Sequence, residues 1–385
     1  MLPTSPVSHF TREKFVKSIG NIIQMCVSEG PEAQATHISN MVDMIGGLMQ
    51  NTTDKSDMLS LLSCLSELGS GLSQLPDDEE FIENNPQYLQ QLPIFQSYWQ
   101  QDPMRIRDKV MQLVQYALSQ HATDSEFVEV SCLVIGKAIC LPDDIPHFLR
   151  YPLSDIISFL HSCASNCNYP AALPYIEYQL EKAITGFKDE LTPQAFDEIF
   201  KQFFLNYYEE YITSDPDLIQ SMVSWVNSVL ESKPHLALKS QYWSSFIVPE
   251  FLKFLQAKEK FTISSTTKFW IKTLNNRRYT QEDTEFINNM FGSMGKQLVY
   301  QTMYSLFHAQ RSDVPQYAEL IRTLFAKYSM PMKGWLTEVL PEITGKPITF
   351  HERFINKLTV TRASRATSNI VLEWWLDCNG LPSLQ

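Results

Sequence analysis

The sequence predicts an all-α chain wound as a right-handed α-solenoid of two-helix repeats, and three observations carry that reading. Helical hydrophobic periodicity runs through almost all of the 385 residues, and strand-like alternation through almost none. The predicted helices pair into units of about 40 residues, the repeat length of the HEAT and armadillo architectures. Connections between them are short and carry Pro or Asp. A single hairpin of that size cannot bury its own apolar face, so neighbours stack and share one core that grows along a line. Linear growth also accommodates the length, because single globular cores stop growing at roughly 250–300 residues.

Taken in order, the periodicity places helices near 11–27, 34–50, 57–74, 104–119, 124–140, 153–167, 171–184 and 193–212, then near 215–231, 235–256, 264–275, 282–309, 313–327, 330–340, 348–359 and 365–378. In the third, Met58, Leu61, Leu62, Leu65, Leu68, Leu72 and Leu75 step by three or four residues, and Asp57 stands where it caps the start. Thr123 and Glu126 have capping-box spacing before the apolar run Phe127–Cys140, which Leu141-Pro142-Asp143-Asp144 ends. The same four letters close the earlier helix at Leu75–Asp78. Residues 76–103, rich in Pro, Asn, Gln and acids, read as a long inter-repeat loop with one short helix, since the helical pattern resumes unchanged after them. In the final helix Val371, Trp374, Trp375 and Cys378 are spaced to seal the last repeat, with Gly380 as the stop. The expectation is one solenoid over 1–385 of about eight repeats, with a capping repeat near 348–381.

A net charge of −12 and a pI near 5.2 argue against nucleic-acid binding, which uses a basic patch to neutralise phosphates, and favour basic partners. The seven cysteines are odd in number, scattered and embedded in apolar helical patterns, as reduced thiols of a cytosolic or nuclear protein are. The N-terminal "MLPTSPVSHFTREKF" has no apolar signal region, and no window reaches the ~18 apolar residues of a membrane span. The Asn51 sequon reads as accidental.

Few residues speak for catalysis, and no enzyme activity, cofactor or metal is expected. Gly69-Ser70-Gly71 ends a helix, whereas a phosphate-cradling loop sits between a strand and a helix start; close helix packing explains the glycines better. His161, Cys163 and Cys167 cluster, but a closed zinc site needs four ligands and no second pair stands near. No nucleophile-elbow or Cys-His signature is present. The aromatic set Phe200, Phe203, Phe204, Tyr207, Tyr208 and Tyr211 forms a wide stripe on the helix predicted over 193–212. Its first reading is core packing between repeats. Its functional alternative is a groove for Phe-containing peptides, with Phe203, Phe204, Tyr207 and Tyr208 as walls and core beneath. Acids gather at Asp77, Asp78, Glu79 and Glu80, and again at Glu209 and Glu210. They read as solvated loops or, taken together, as a negative face that steers basic partners.

Three stretches in collinear order resemble a known family. Leu61–Glu80 carries C-x-x-x-x-G-x-G-L in "CLSELGSGL" and then Pro-Asp-Asp. The run Val128–Cys140 is followed by Leu153–Ile184 as paired helices. The ending Phe350–Leu381 has spaced basic residues and a final aromatic-rich helix closing on C-N-G-L. These resemble the C-terminal half of importin-β superfamily nuclear transport receptors, in the transportin-SR and importin-thirteen branch, from about residue 10 to the end. The resemblance implies a karyopherin of HEAT repeats that binds basic protein cargo, contacts Phe-Gly-repeat nucleoporins through hydrophobic slots, responds to the GTPase Ran and shuttles between cytoplasm and nucleus through the pore. It implies no direct contact with nucleic acid or membrane. Family members are more than twice this length, and their N-terminal repeats, which hold most of the Ran-binding surface, have no counterpart here. The chain is therefore expected to be the cargo-binding C-terminal portion, with Ran binding weak or absent. The alternative is a solenoid scaffold that assembles a cytosolic complex and never engages the pore.

Overall fold

The computed structural model describes residues 9–25, 29–72, 87–142, 145–187 and 190–381. The chain forms two compact units, 1–190 and 191–385.

In the first unit the helices are α1 (His9–Met25), α2 (Pro31–Asn51), α3 (Lys55–Leu72), α4 (Gln87–Gln101), α5 (Ile106–Gln120), α6 (Ser125–Ile135), α7 (Leu153–Asn166) and α8 (Tyr169–Gly186). Helices α1, α3, α6 and α8 stack side by side in one row, α2 lies beside α5, and α2/α3, α5/α6 and α7/α8 pair as sequential neighbours. The apolar steps read from the sequence explain the rows. In α3, Met58, Leu61, Leu62, Leu65, Leu68 and Leu72 are all buried, serving α1 on one flank and α6 on the other. Helix α6 starts one residue later than the capping-box reading. Asp124, not Thr123, is its N-cap and accepts from the Glu126 amide at 3.1 Å. It also ends at Ile135 where the pattern promised 140: Gly136 is the C-cap and the chain continues as turns.

The stretch expected to be mostly loop contains α4, a full 15-residue helix with Pro93 in its interior. Phe95 and Trp99, one helical turn apart, are buried, and Trp99 Nε1 donates to Gln34 Oε1 of α2 at 3.0 Å. Two anchors fix a helix whose remaining residues are largely polar.

The second unit comprises α9 (Pro193–Phe203), α10 (Pro216–Ser232), α11 (Pro234–Leu238), α12 (Val248–Lys253), α13 (Lys260–Leu274), α14 (Gln281–His308), α15 (Val314–Lys327), α16 (Ser329–Thr344), α17 (Ile348–Val360) and α18 (Ser364–Cys378). Here α10, α13, α15 and α18 form one row, and α14, α16 and α17 pack in succession as another. The long α14 opens with a reciprocal capping box. Asp283 N donates to Thr280 Oγ1 at 3.1 Å, and Thr280 N to Asp283 Oδ2 at 2.9 Å. In α18, Val371, Trp374, Trp375 and Cys378 are buried and Gly380 takes φ 65°, the left-handed stop that glycine supplies.

Two expected helices are broken here. The one predicted over 193–212 stops at Phe203 and continues as 3₁₀ turns at Leu205–Tyr207 and Ile212–Ser214. The one predicted over 235–256 is cut at Ser240. The Ser240 hydroxyl binds Asp197, accepts from the Tyr242 amide at 3.0 Å, and so competes with the helix for a backbone donor.

The repeat period is visible in the bonds between neighbouring helices. Arg12 to Asp57 spans 45 residues, Ser60 to Glu13 47, Tyr208 to Glu250 42, Lys272 to Glu231 41, Lys296 to Glu338 42 and Ser364 to Glu319 45. Each bond ties a residue to its counterpart one hairpin away. All described secondary structure is helical or turn, and the fold is an all-α solenoid.

Candidate functional site

The close approach that the glycines of α3 were expected to allow is present. A Cβ built on Gly71 would lie 2.8 Å from the Asn21 amide and 2.9 Å from Gly20 Cα, and nearer still to the Lys17 carbonyl. One on Gly20 would lie 2.7 Å from the Leu68 carbonyl. Real Cβ atoms do not approach so near, so the α1–α3 crossing holds its spacing only with glycine on both sides. Gly69 has a different neighbour. Its carbonyl accepts from His147 Nε2 at 3.0 Å, while Leu149 N donates to His147 Nδ1 at 3.0 Å. Both ring nitrogens are committed to a neutral imidazole, and complete burial lowers the His147 pKa to about 4. The segment leading from α6 to α7 is thereby fastened onto α3.

That segment walls a cleft of about 510 Å³ in the first unit, with Ile139, Leu141, Leu149, Ile156 and Phe187 as its apolar lining and Arg150 and Glu190 as polar members. Arg150 Nη2 donates to the Pro142 carbonyl at 2.8 Å, and its own carbonyl accepts from Arg107 Nη1 at 2.8 Å. The arginine is thus part of the wall.

Of the aromatic set, Phe203, Phe204 and Tyr208 belong to the core. Phe200 and Phe204 lie 6.3 and 5.4 Å from the Trp225 ring of α10, and Phe196 stacks on it at 5.1 Å. Tyr208 packs edge-on to Phe246 at 4.7 Å, and its hydroxyl donates to Glu250 Oε2 at 2.6 Å. Burial first, and that carboxylate second, push its phenol far up. Phe203 and Phe204 are fully buried, so an open groove with these rings as walls is not what the fold builds. Tyr207 and Tyr211 stay half-buried with ring centroids 6.3 Å apart, and Glu209 and Glu210 beside them are exposed. A hydrogen bond to Glu210 holds the Tyr211 phenol above its ordinary range. The surface left is a pair of acids framed by two tyrosines. Asp77, Asp78, Glu79 and Glu80 lie outside the described residues.

His161 is exposed, while Cys163 is buried with its thiol pushed up, chiefly through its hydrogen bond with Cys132. Burial likewise raises the Cys64 thiol to about 12. Among the described residues there is no group of three or more His, Cys, Asp or Glu placed to hold a metal ion, and no helix is long and apolar enough to cross a membrane.

Sequence reasoning missed a cleft of about 400 Å³ in the second unit, bounded by Gln256, Ile263, Tyr304, Ser305, Asp313 and Tyr317. Its residues are spread over some 60 positions, and no local motif marks it.

With this geometry in hand, the chain can be set beside known proteins. Residues 1–72, which contain α1 to α3 and their glycine crossing, match the family model described as importin beta-like KAP122 middle domain. The structure is similar to one described as "Importin13 cytosolic state", with a TM-score of 0.66 at 14% identity, covering 98% of this chain and 42% of that one. No curated protein matches. The fold is that of an importin solenoid. The family likeness is confined to residues 1–72, the structural likeness is one of fold, and the chain spans less than half the length of the importin-13 chain it resembles.

Proposed function

We propose that the protein is the cargo-binding portion of a nuclear transport receptor. The observation that carries this is the importin-β-like family match over residues 1–72, since a solenoid alone hosts many functions. The matched family is a middle domain, which supports reading this chain as the later part of such a receptor. Its role is to bind and carry, not to catalyse. Its partners are basic protein cargo, attracted by the exposed Glu209 and Glu210 and by the acids at Asp77, Asp78, Glu79 and Glu80, together with Phe-Gly-repeat nucleoporins. The cleft between Ile139 and Phe187 has the apolar lining a phenylalanine side chain needs. The half-buried Tyr207, above the core rings Phe203, Phe204 and Tyr208, gives the acidic patch an aromatic edge. Ran binding is weak or absent, and the protein shuttles between cytoplasm and nucleus.

The test is retention of the purified chain on immobilised Phe-Gly-repeat peptide, with and without GTP-loaded Ran. Retention, reduced by Leu149→Asp in the cleft, is the expected result. A chain that passes straight through would favour the cytosolic scaffold instead.

A further inference from the structure

We infer that Lys17, Lys137 and Lys182 form a docking strip for an extended acidic segment of a partner protein, on a chain whose net charge is −12. The inference goes beyond the transport reading and stands without it, because that reading asks for basic partners and this strip takes an acidic one.

The first ground is alignment. The row α1, α3, α6 and α8 runs in one direction throughout. Arg12 meets Asp57 near the starts of α1 and α3, and Gly20 meets Leu68 near their ends. Lys55 at the start of α3 pairs with Asp124, the cap of α6. At the other end a Cβ built on Gly69 would lie 3.2 Å from Lys137 Cγ, so the Lys137 stem rests on α3 just after α6 stops. Glu129 meets Tyr175, and Ile139 meets Gly186 further along α8. In that shared register Lys17 of α1, Glu67 of α3, Lys137 and Lys182 of α8 stand at one level, each half-buried. Four neighbouring elements thus present three cations and one anion across the row.

The second ground is that these cations are not neutralised. The first unit has six described lysines. Lys55 and Lys109 form ion pairs with Asp124 and Asp43, and Lys14 lies over the Phe10 ring. Among the described residues Lys17, Lys137 and Lys182 have no carboxylate within ion-pair distance; Lys182 has only the Tyr178 ring, 4.4 Å from its ammonium. Burial first, and the like charges of Lys17 and Lys182 as well, lower the Lys137 pKa against the pull of Glu67. An acidic chain that pairs its other lysines and gathers these three leaves a local positive field, which draws in negative groups.

Spacing selects the ligand. Packed helices stand about 8–10 Å apart, and an extended chain advances ~3.3 Å per residue. A carboxylate opposite Lys182, one about three residues on opposite Lys137, a neutral residue opposite Glu67 and a third carboxylate about nine residues from the first opposite Lys17 answer the row. A compact anion such as phosphate cannot span it.

The test uses the full chain and a capped decapeptide with Glu at its first, fourth and tenth positions and Gly elsewhere, beside the same peptide with Gln, titrated by saturation-transfer NMR. The Glu peptide is expected to bind at least about fivefold tighter than the Gln peptide at low salt and to lose most of that margin at high salt. Lys137→Gln combined with Lys182→Gln should weaken it at least about threefold with an unchanged thermal midpoint, whereas Lys333→Gln, at an exposed position of α16, should leave it unaltered. Should the double variant fail to fold, Glu67→Gln carries the test. It removes the one anion in the row and is expected to tighten the Glu peptide about twofold. The inference is overturned by equal binding of the Gln peptide, by no detectable binding of the Glu peptide at millimolar concentration, by a loss in Lys333→Gln as large as in the double variant, or by no gain in Glu67→Gln. Binding of tripolyphosphate but not of the peptide would also overturn it. So would peptide binding seen only after Asp77, Asp78, Glu79 and Glu80 are changed to Asn and Gln, since the lysines would then serve this chain's own acids.

Discussion

Replacing Gly71 with alanine sets two effects of opposite sign against each other at one carbon atom. In a helix interior, alanine is more favourable than glycine by about 1 kcal/mol. At Gly71, however, the new methyl would press on backbone of α1 from Lys17 to Asn21, and backbone cannot swing aside as a side chain can. Overpacking of this kind costs ~1–3 kcal/mol or more when helices must move apart. Because the obstacle is main chain on both sides of a glycine–glycine crossing, the upper part of that range applies, and the net loss should be ~2 kcal/mol. Gly47, inside α2, has nothing within 4 Å of the place a methyl group would occupy, so Gly47→Ala should gain ~0.5–1 kcal/mol. Urea titration of both variants, followed by circular dichroism, gives a clean comparison because the chemical change is identical. Thermal midpoints should separate in the same sense, by ~2–4 °C per kcal/mol for a unit of this size. Equal stability of the two variants would refute the close α1–α3 crossing.

Three further outcomes are expected. His147 stays neutral in the folded chain, with its pKa lowered from 6.5 to about 4, so the unfolded chain binds the proton first. Its contribution is fully present above pH 6.5 and lost as pH falls toward 4, by ~3 kcal/mol in all; His147→Phe should flatten the acid limb of a pH–stability curve while lowering stability at neutral pH. Asp102 takes φ 42° and caps α5 through two amides. Asp102→Ala should cost ~2 kcal/mol or more, and Asp102→Asn, which tolerates that backbone and keeps an acceptor, less than half as much by urea unfolding. Charge reversal of Glu209 and Glu210 should slow association with a basic peptide by roughly 3–10-fold at low salt and little at high salt, by stopped-flow fluorescence; an unchanged rate at low salt would remove these acids from the cargo face.

Much of the fold was legible because the dominant signal, apolar residues at intervals of three and four, is local. Met58 to Leu72 define α3 without knowledge of any neighbour. The misreadings share a cause: a contact made far along the chain overruled a local preference. Phe95 and Trp99 turn a glutamine-rich stretch into α4 by anchoring it to α2. Asp197 recruits Ser240 and ends a helix that periodicity alone would continue. Phe203 and Phe204 form part of an aromatic stripe in the sequence, yet only packing against Trp225 and its neighbours decides that they are core and that Tyr207 remains at the surface. Glu209 and Glu210 were legible as exposed acids, since two adjacent charges rarely bury. The cleft bounded by Gln256 and Tyr317 was not, because its lining residues are spread along the chain and no local motif joins them.

The bonds that recur one hairpin apart have a consequence for how the chain is made. Each closes a loop of 41–47 residues, and the entropy of closing such a loop is the same at every step and does not accumulate with chain length. Low contact order of this kind favours fast, local folding. Within each unit, a hairpin emerging from the ribosome can dock on the one before it as soon as it is complete, and synthesis at ~5–20 residues per second leaves seconds for each docking step. The exposed apolar face at any moment is then that of a single hairpin, so the growing end, and never the whole core, is what chaperones would need to shield.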